Sequence, residues 1–120
     1  MDKDVLCRLD DLSDPGSKAF VIEGEQGPEE IFLVRRGPRV FAYRNQCPHT
    51  GGPLDWMPDQ FLDLDKRHIQ CATHDARFRI EDGFCFVGPC AGKALEPLAV
   101  RVESGRVRLI RGDDGELAGP

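Results

Sequence analysis

Two short clusters in this chain combine residue types that bind metals. Cys47-Pro48-His49 is followed, after 21 residues, by Cys71-Ala72-Thr73-His74. Two thiolates and two imidazoles suit a two-iron cluster in which two His replace two Cys on one iron. The same set also suits a structural zinc ion, although zinc sites usually space their first pair by two to four residues, and Cys47 and His49 have one between them. Four such residues in two tight pairs are a specific signal, and both pairs need a scaffold to bring them together.

Strands are expected to supply it. Thirteen Gly and nine Pro in 120 residues imply frequent turns and short strands rather than long helices. Val5 to Leu9 alternates as a half-buried strand does, and Ala19 to Ile22 is a second short run. Glu23 to Glu30 reads as a polar loop. Ile31 to Arg35 and Val40 to Arg44 flank Arg36-Gly37-Pro38-Arg39 and predict a hairpin whose second strand leads to Cys47. The run His68-Ile69-Gln70 predicts the strand that feeds Cys71. Phe78 and Ile80 share one face before an Asp82-Gly83 turn, and Phe84 to Val87 is apolar. Leu98 to Val102 and Arg106 to Ile110 predict a closing hairpin around Glu103-Ser104-Gly105.

Other residues receive plainer readings. Gly51 and Gly52 allow close backbone approach beside His49, so that their N–H groups face cluster sulfides. Leu54, Trp56 and Met57 supply apolar cover. Cys7 reads as a small buried hydrophobe and His68 as a strand residue outside the ligand set. The 120 residues suit one domain, with a frayed tail from about residue 112.

The net charge of −5 argues against nucleic acid, because phosphate binding needs clustered Lys and Arg. Met1-Asp2-Lys3-Asp4 lacks the apolar run of a signal peptide, and 18 apolar residues never occur together, so a cytoplasmic, unanchored protein is expected. In that compartment Cys85 and Cys90 are expected as thiols rather than as a disulfide.

The Cys-x-His and Cys-x-x-His pairs resemble those of the Rieske [2Fe–2S] family, and the likeness extends from about Ile31 to Leu109. The resemblance implies an all-β fold, an antiparallel sandwich of small stacked sheets with two cluster-binding loops at one tip. It implies one [2Fe–2S] cluster per chain, with Cys47 and Cys71 on the inner iron and His49 and His74 on the outer. Gly88-Pro89-Cys90-Ala91 matches the family's third loop, over the cluster. The chain departs from the family in several places. Non-Cys residues, among them Gly51, Gly52 and Thr73, replace the loop disulfide of the high-potential branch. Ala76 and Phe78 replace its Ser and Tyr donors, which predicts a potential near about −150 mV, the low end of the Rieske range. Asp75 follows the second His where Gly is usual, and Cys90 stands where Pro is frequent. The long spacer predicts an excursion from Trp56 to Arg67.

The resemblance further implies a one-electron carrier, not an enzyme, working between a flavin reductase and a terminal oxygenase or reductase, without nucleic acid or membrane. Only His68 remains beyond the ligands, too few for the mononuclear iron of an oxygenase. The alternatives are a small subunit of a nitrite-reductase-like complex, a redox-sensing regulator and, from another class, the zinc module. Docking is expected around residues 50–53, Asp75 and the Gly88 to Ala91 loop.

Overall fold

The computed structural model describes residues 5–24, 27–48, 52–55, 57, 59–71, 76–89 and 91–110. Strands dominate them, and every pairing between strands is antiparallel. One sheet has the order β1-β10-β9, built from Val5–Arg8, Arg106–Leu109 and Val100–Glu103. The second has the order β2-β3-β4-β8, from Gly16–Gly24, Gly27–Arg36, Arg39–Arg44 and Pro97–Leu98. The third has the order β5-β6-β7, from His68–Gln70, Arg77–Arg79 and Cys85–Val87.

The centre of the molecule is β3. Its charged ends alternate, but Ile31, Phe32, Leu33 and Val34 are all fully buried. Four apolar residues in a row mark a strand covered on both faces. Phe32 and Val34 point into a cluster that also holds Cys47 and Cys71. Leu33 points the other way, onto Leu12, Ala42 and Val107 under the β1-β10-β9 sheet. Ile31 joins Ile22 and Leu109 on that second side. One strand therefore separates two cores.

Two sequence expectations change. The polar loop over Glu23 to Glu30 is mostly ladder, since β2 and β3 pair without a break from Gly16↔Arg35 to Gly24↔Gly27. Its charges obscured the strand; they sit at the exposed end of a ribbon, where Arg44 meets Glu29 at 2.7 Å. Leu98 leaves the closing hairpin and pairs with Ala42, filling the edge of β4 while Val100 starts β9. That hairpin turns through Ser104 and Gly105, with φ of 52° and 74°. Two successive positive φ values make the mirror-image turn that suits the twist of a two-residue hairpin.

The excursion before Cys71 exists and has a defined structure. Gln70 N–H donates to Phe61 O and Asp63 N–H to His68 O, each at 2.9 Å, so residues 61–63 form an antiparallel bridge along the edge of β5. The other side docks on the edge of β2. Ser17 Oγ donates to Asp59 O at 2.7 Å and accepts from Phe61 N–H at 3.2 Å, and Ala19 N–H donates to Asp59 Oδ1 at 2.8 Å. Phe61 stacks on Phe32 with ring centroids 4.2 Å apart. The excursion thus ties the second sheet to the third.

Asp63 closes the turn. Burial pushes its carboxyl up, but the amides of Arg67 and His68 and the His68 ring outweigh this and hold it below its ordinary value. A lowered folded pKa contributes stability above the unfolded value, near 3.8, and loses it as pH falls through the folded value. Asp63→Asn should therefore cost about 1–2 kcal/mol at neutral pH. Urea titrations at pH 7 and pH 3 should show that deficit shrinking at the acid end.

Candidate metal centre

Both cysteines of the predicted ligand set stand just after strands. β4 ends at Arg44, and Asn45 and Gln46 carry the chain to Cys47; β5 ends at Gln70, directly before Cys71. The two loops then close in the same way. Cys47 N–H donates to Gly52 O at 2.7 Å, and Cys71 N–H donates to Ala76 O at 2.8 Å. Each bond spans five residues and pinches the ends of its loop together.

The thiols are sheltered. Cys47 is 2% exposed and Cys71 fully buried, and both belong to one cluster with Leu54, Ala76, Phe78 and Cys85. Leu54 supplies the expected apolar cover, whereas Met57 is exposed and Trp56 lies outside the described residues. His49 and His74 also lie outside them, as do Thr50, Gly51, Thr73, Asp75 and Cys90. Among the described residues no group of three His, Cys, Asp or Glu side chains gathers. Two buried thiols, opening two loops of the same closure in an apolar surround, fit a cluster held partly inside the fold and completed from those loops.

The third loop approaches from β7. Gly92 N–H returns to Cys85 O at 3.0 Å and Ala91 N–H to Gly88 O at 3.1 Å, which shapes the turn through Pro89. Gly88 has a φ of +103°, and a Cβ there would lie 2.8 Å from Ala76 Cα. Only glycine lets the third loop sit this close to the exit of the second. Ala76 and Phe78, the positions without hydroxyl donors, are both buried in this region.

Several contributors were missed from sequence. Tyr43 donates its hydroxyl to Ile80 O at 2.6 Å and braces β4 against the turn after β6. Burial, then the charges of Asp82 and Glu81, push its pKa above the ordinary value, so the bond persists across the working range of pH. Asn45 accepts from Leu54 N–H at 2.7 Å, nine residues on and so beyond the reach of the local turn pattern that an Asx residue signals. Cys85 shares the buried cluster of Cys47 and Cys71, and its Sγ lies 3.2 Å from Val87 O.

Cys7 and His68 sit away from Cys47 and Cys71 in other surroundings, and Cys7 is less buried than the sequence reading expected. Cys7 is half-buried beside the Leu12 and Leu33 cluster, with its thiol pushed up by burial and by Asp11 against a smaller opposing effect of Lys18. His68 rests on Asp63 and on the ring of Phe86, with centroids 4.8 Å apart.

Comparison with known proteins agrees with this geometry. The family model described as the Rieske [2Fe–2S] domain matches residues 3–110. The ferredoxin component of biphenyl 2,3-dioxygenase from Rhodococcus jostii (strain RHA1) is 31% identical over 110 residues, covering 91% of this chain and 85% of that protein. The ferredoxin of carbazole 1,9a-dioxygenase from Nocardioides aromaticivorans IC177 superposes with a TM-score of 0.71 at 26% identity, over 88% of this chain and 93% of the other. A ferredoxin-sized chain in a complex of reduced oxygenase and oxidized ferredoxin in carbazole 1,9a-dioxygenase gives a TM-score of 0.70 at 22% identity, over 88% and 89%, a likeness of fold. The structural zinc reading is thereby set aside. The chain belongs to the Rieske [2Fe–2S] domain family and is a one-electron carrier of the ferredoxin type, with one [2Fe–2S] cluster per chain.

Proposed function

We propose that Cys47, His49, Cys71 and His74 hold the cluster, and that the chain carries electrons from a flavin reductase to a terminal oxygenase in the cytoplasm. The observation that carries the reading is the matched closure of two loops at two buried cysteines in one apolar cluster. When bound, the cluster accepts and releases one electron. The protein's own work is to hold it in place and keep water from its inner side. Leu54, Ala76 and Phe78 exclude solvent around the thiolates. The inward-turned N–H groups of Cys47 and Cys71 keep the loops shut, and Gly88 lets the third loop lie against the second.

The oxygenase as partner rests on the dioxygenase ferredoxins among the relatives. The cytoplasmic setting accords with the described residues, which contain no helix long and apolar enough to cross a membrane. We also propose that the exposed residues Pro53, Gly88, Pro89 and Ala91 form part of the docking face.

Two measurements test this. The purified protein should be red-brown, contain two irons and two labile sulfides per chain, and give an EPR signal of low average g when reduced. Alanine at Cys47, His49, Cys71 or His74 should abolish or convert that signal, whereas Cys7→Ala should leave it unchanged. A colourless protein holding a single zinc would end the proposal.

The second measurement concerns potential. Ala76→Ser and Phe78→Tyr add hydroxyl donors at buried positions, where a hydrogen bond stabilises the more negative reduced state. Each should raise the potential by about 40 mV, the one-electron equivalent of roughly 1 kcal/mol. Protein-film voltammetry reads this directly, and a wild-type value well above zero would show that other donors replace the missing ones.

A further inference from the structure

Asn45 lies between the end of β4 and the first ligand loop, two residues before Cys47. Its backbone N–H donates to Glu30 O on β3 at 3.0 Å, which fixes the residue to the central strand. Its side chain then reaches across the loop. Oδ1 accepts from Leu54 N–H at 2.7 Å, and Nδ2 donates to Asp55 Oδ1 at 3.2 Å, with Glu30 Oε1 farther off at 3.5 Å. The Cys47–Gly52 bond closes the loop from within; Asn45 clasps it from outside, joining the residues before Cys47 to those after Gly52.

The chemistry of the clasp is specific. A primary amide offers a donor and an acceptor on one short side chain. An Asp at position 45 could accept from Leu54 but not donate to Asp55. Asp55 has no ion pair among the described residues, and its side-chain hydrogen bond there is the one from Asn45. Leu54 matters most: its side chain is fully buried in the cluster that holds both cysteines, and its backbone amide is what Asn45 holds. Releasing that amide loosens the apolar lid beside Cys47.

We propose that Asn45 is a positioning residue of the metal centre, which keeps the first ligand loop shut on Cys47 through Leu54 and Asp55. The proposal rests on Cys47 being a ligand. It acts on how firmly the cluster is retained and on its electronic environment, because water reaching the inner side changes both.

The test uses the loaded protein and follows iron release to a ferrous chelator, reduced-state EPR and midpoint potential together. Asn45→Ala should speed release about tenfold, as removal of a partner around a metal ligand typically does. Its g-values and potential should also move, which a purely structural contribution to folding would not cause. Asn45→Asp alone should also release iron fast, since it sets two carboxylates against each other. Combined with Asp55→Asn it should return to within about twofold of wild type. In that pair the carboxylate introduced at position 45 accepts from Leu54 N–H with one oxygen and from the amide introduced at position 55 with the other. An Asn45→Ala protein with unchanged spectrum and potential would overturn the proposal. So would a double variant that releases iron as fast as Asn45→Ala. Full cluster assembly in Cys47→Ala is a separate outcome: it would remove the ligand assignment beneath the proposal.

Discussion

Two backbone hydrogen bonds organise this protein: Cys47 N–H to Gly52 O and Cys71 N–H to Ala76 O. A buried amide without a partner costs about 1–3 kcal/mol, so each cysteine can be buried only if its own N–H is satisfied locally. Closing the loop on itself meets that need and turns the chain back within five residues. The strands before the cysteines and the contacts after them then have a shared task, which is to set the two closures side by side. β4 and β5 deliver the cysteines, and Leu54, Ala76 and Phe78 pack around them.

The packing that sets this arrangement runs through β3. Because its two faces belong to different cores, a shift of one residue would exchange Phe32 and Val34 with Ile31 and Leu33 and disrupt both cores together. The Phe32–Phe61 stack carries the constraint into the excursion, a contact worth about 0.5–1.5 kcal/mol beyond the area it buries. From there it passes through Leu62↔Ile69 to β5 and so to Cys71. The first cysteine hangs on the same sheet through β4. Both halves of the centre are thus referred to one strand.

Much of this could be read from the chain alone, because the informative signals are short in range. Cys47 and Cys71, the Arg36-Gly37-Pro38-Arg39 hairpin, the strand before Cys71 and the Ser104-Gly105 turn each depend on residues near one another. What escaped depended on distant partners. The strand through Glu29 and Glu30 was hidden because the charge of Glu29 is answered by Arg44, 15 residues on. Leu98 went to β4 because an edge more than 50 residues earlier needed a partner, which no local pattern reports. The contribution of Asn45 needs Leu54 and Asp55 to be seen beside it, and that of Tyr43 needs Ile80.

The docking of the excursion on β2 also bears on solubility. A sheet edge with free amides is a template on which another molecule can add a strand. Here Asp59 and Ser17 occupy the start of that edge, and the chain linking Cys47 to Cys71 acts as a guard rail for it. Its length is constrained by two anchors, one on β2 and one on β5, and among its described residues there is slack in the turn where Leu64 is 91% exposed. Relatives could vary the spacer at that turn without disturbing either anchor. Shortening it elsewhere would expose an adhesive edge beside a redox centre, and the first symptom would be self-association rather than a change in electron transfer.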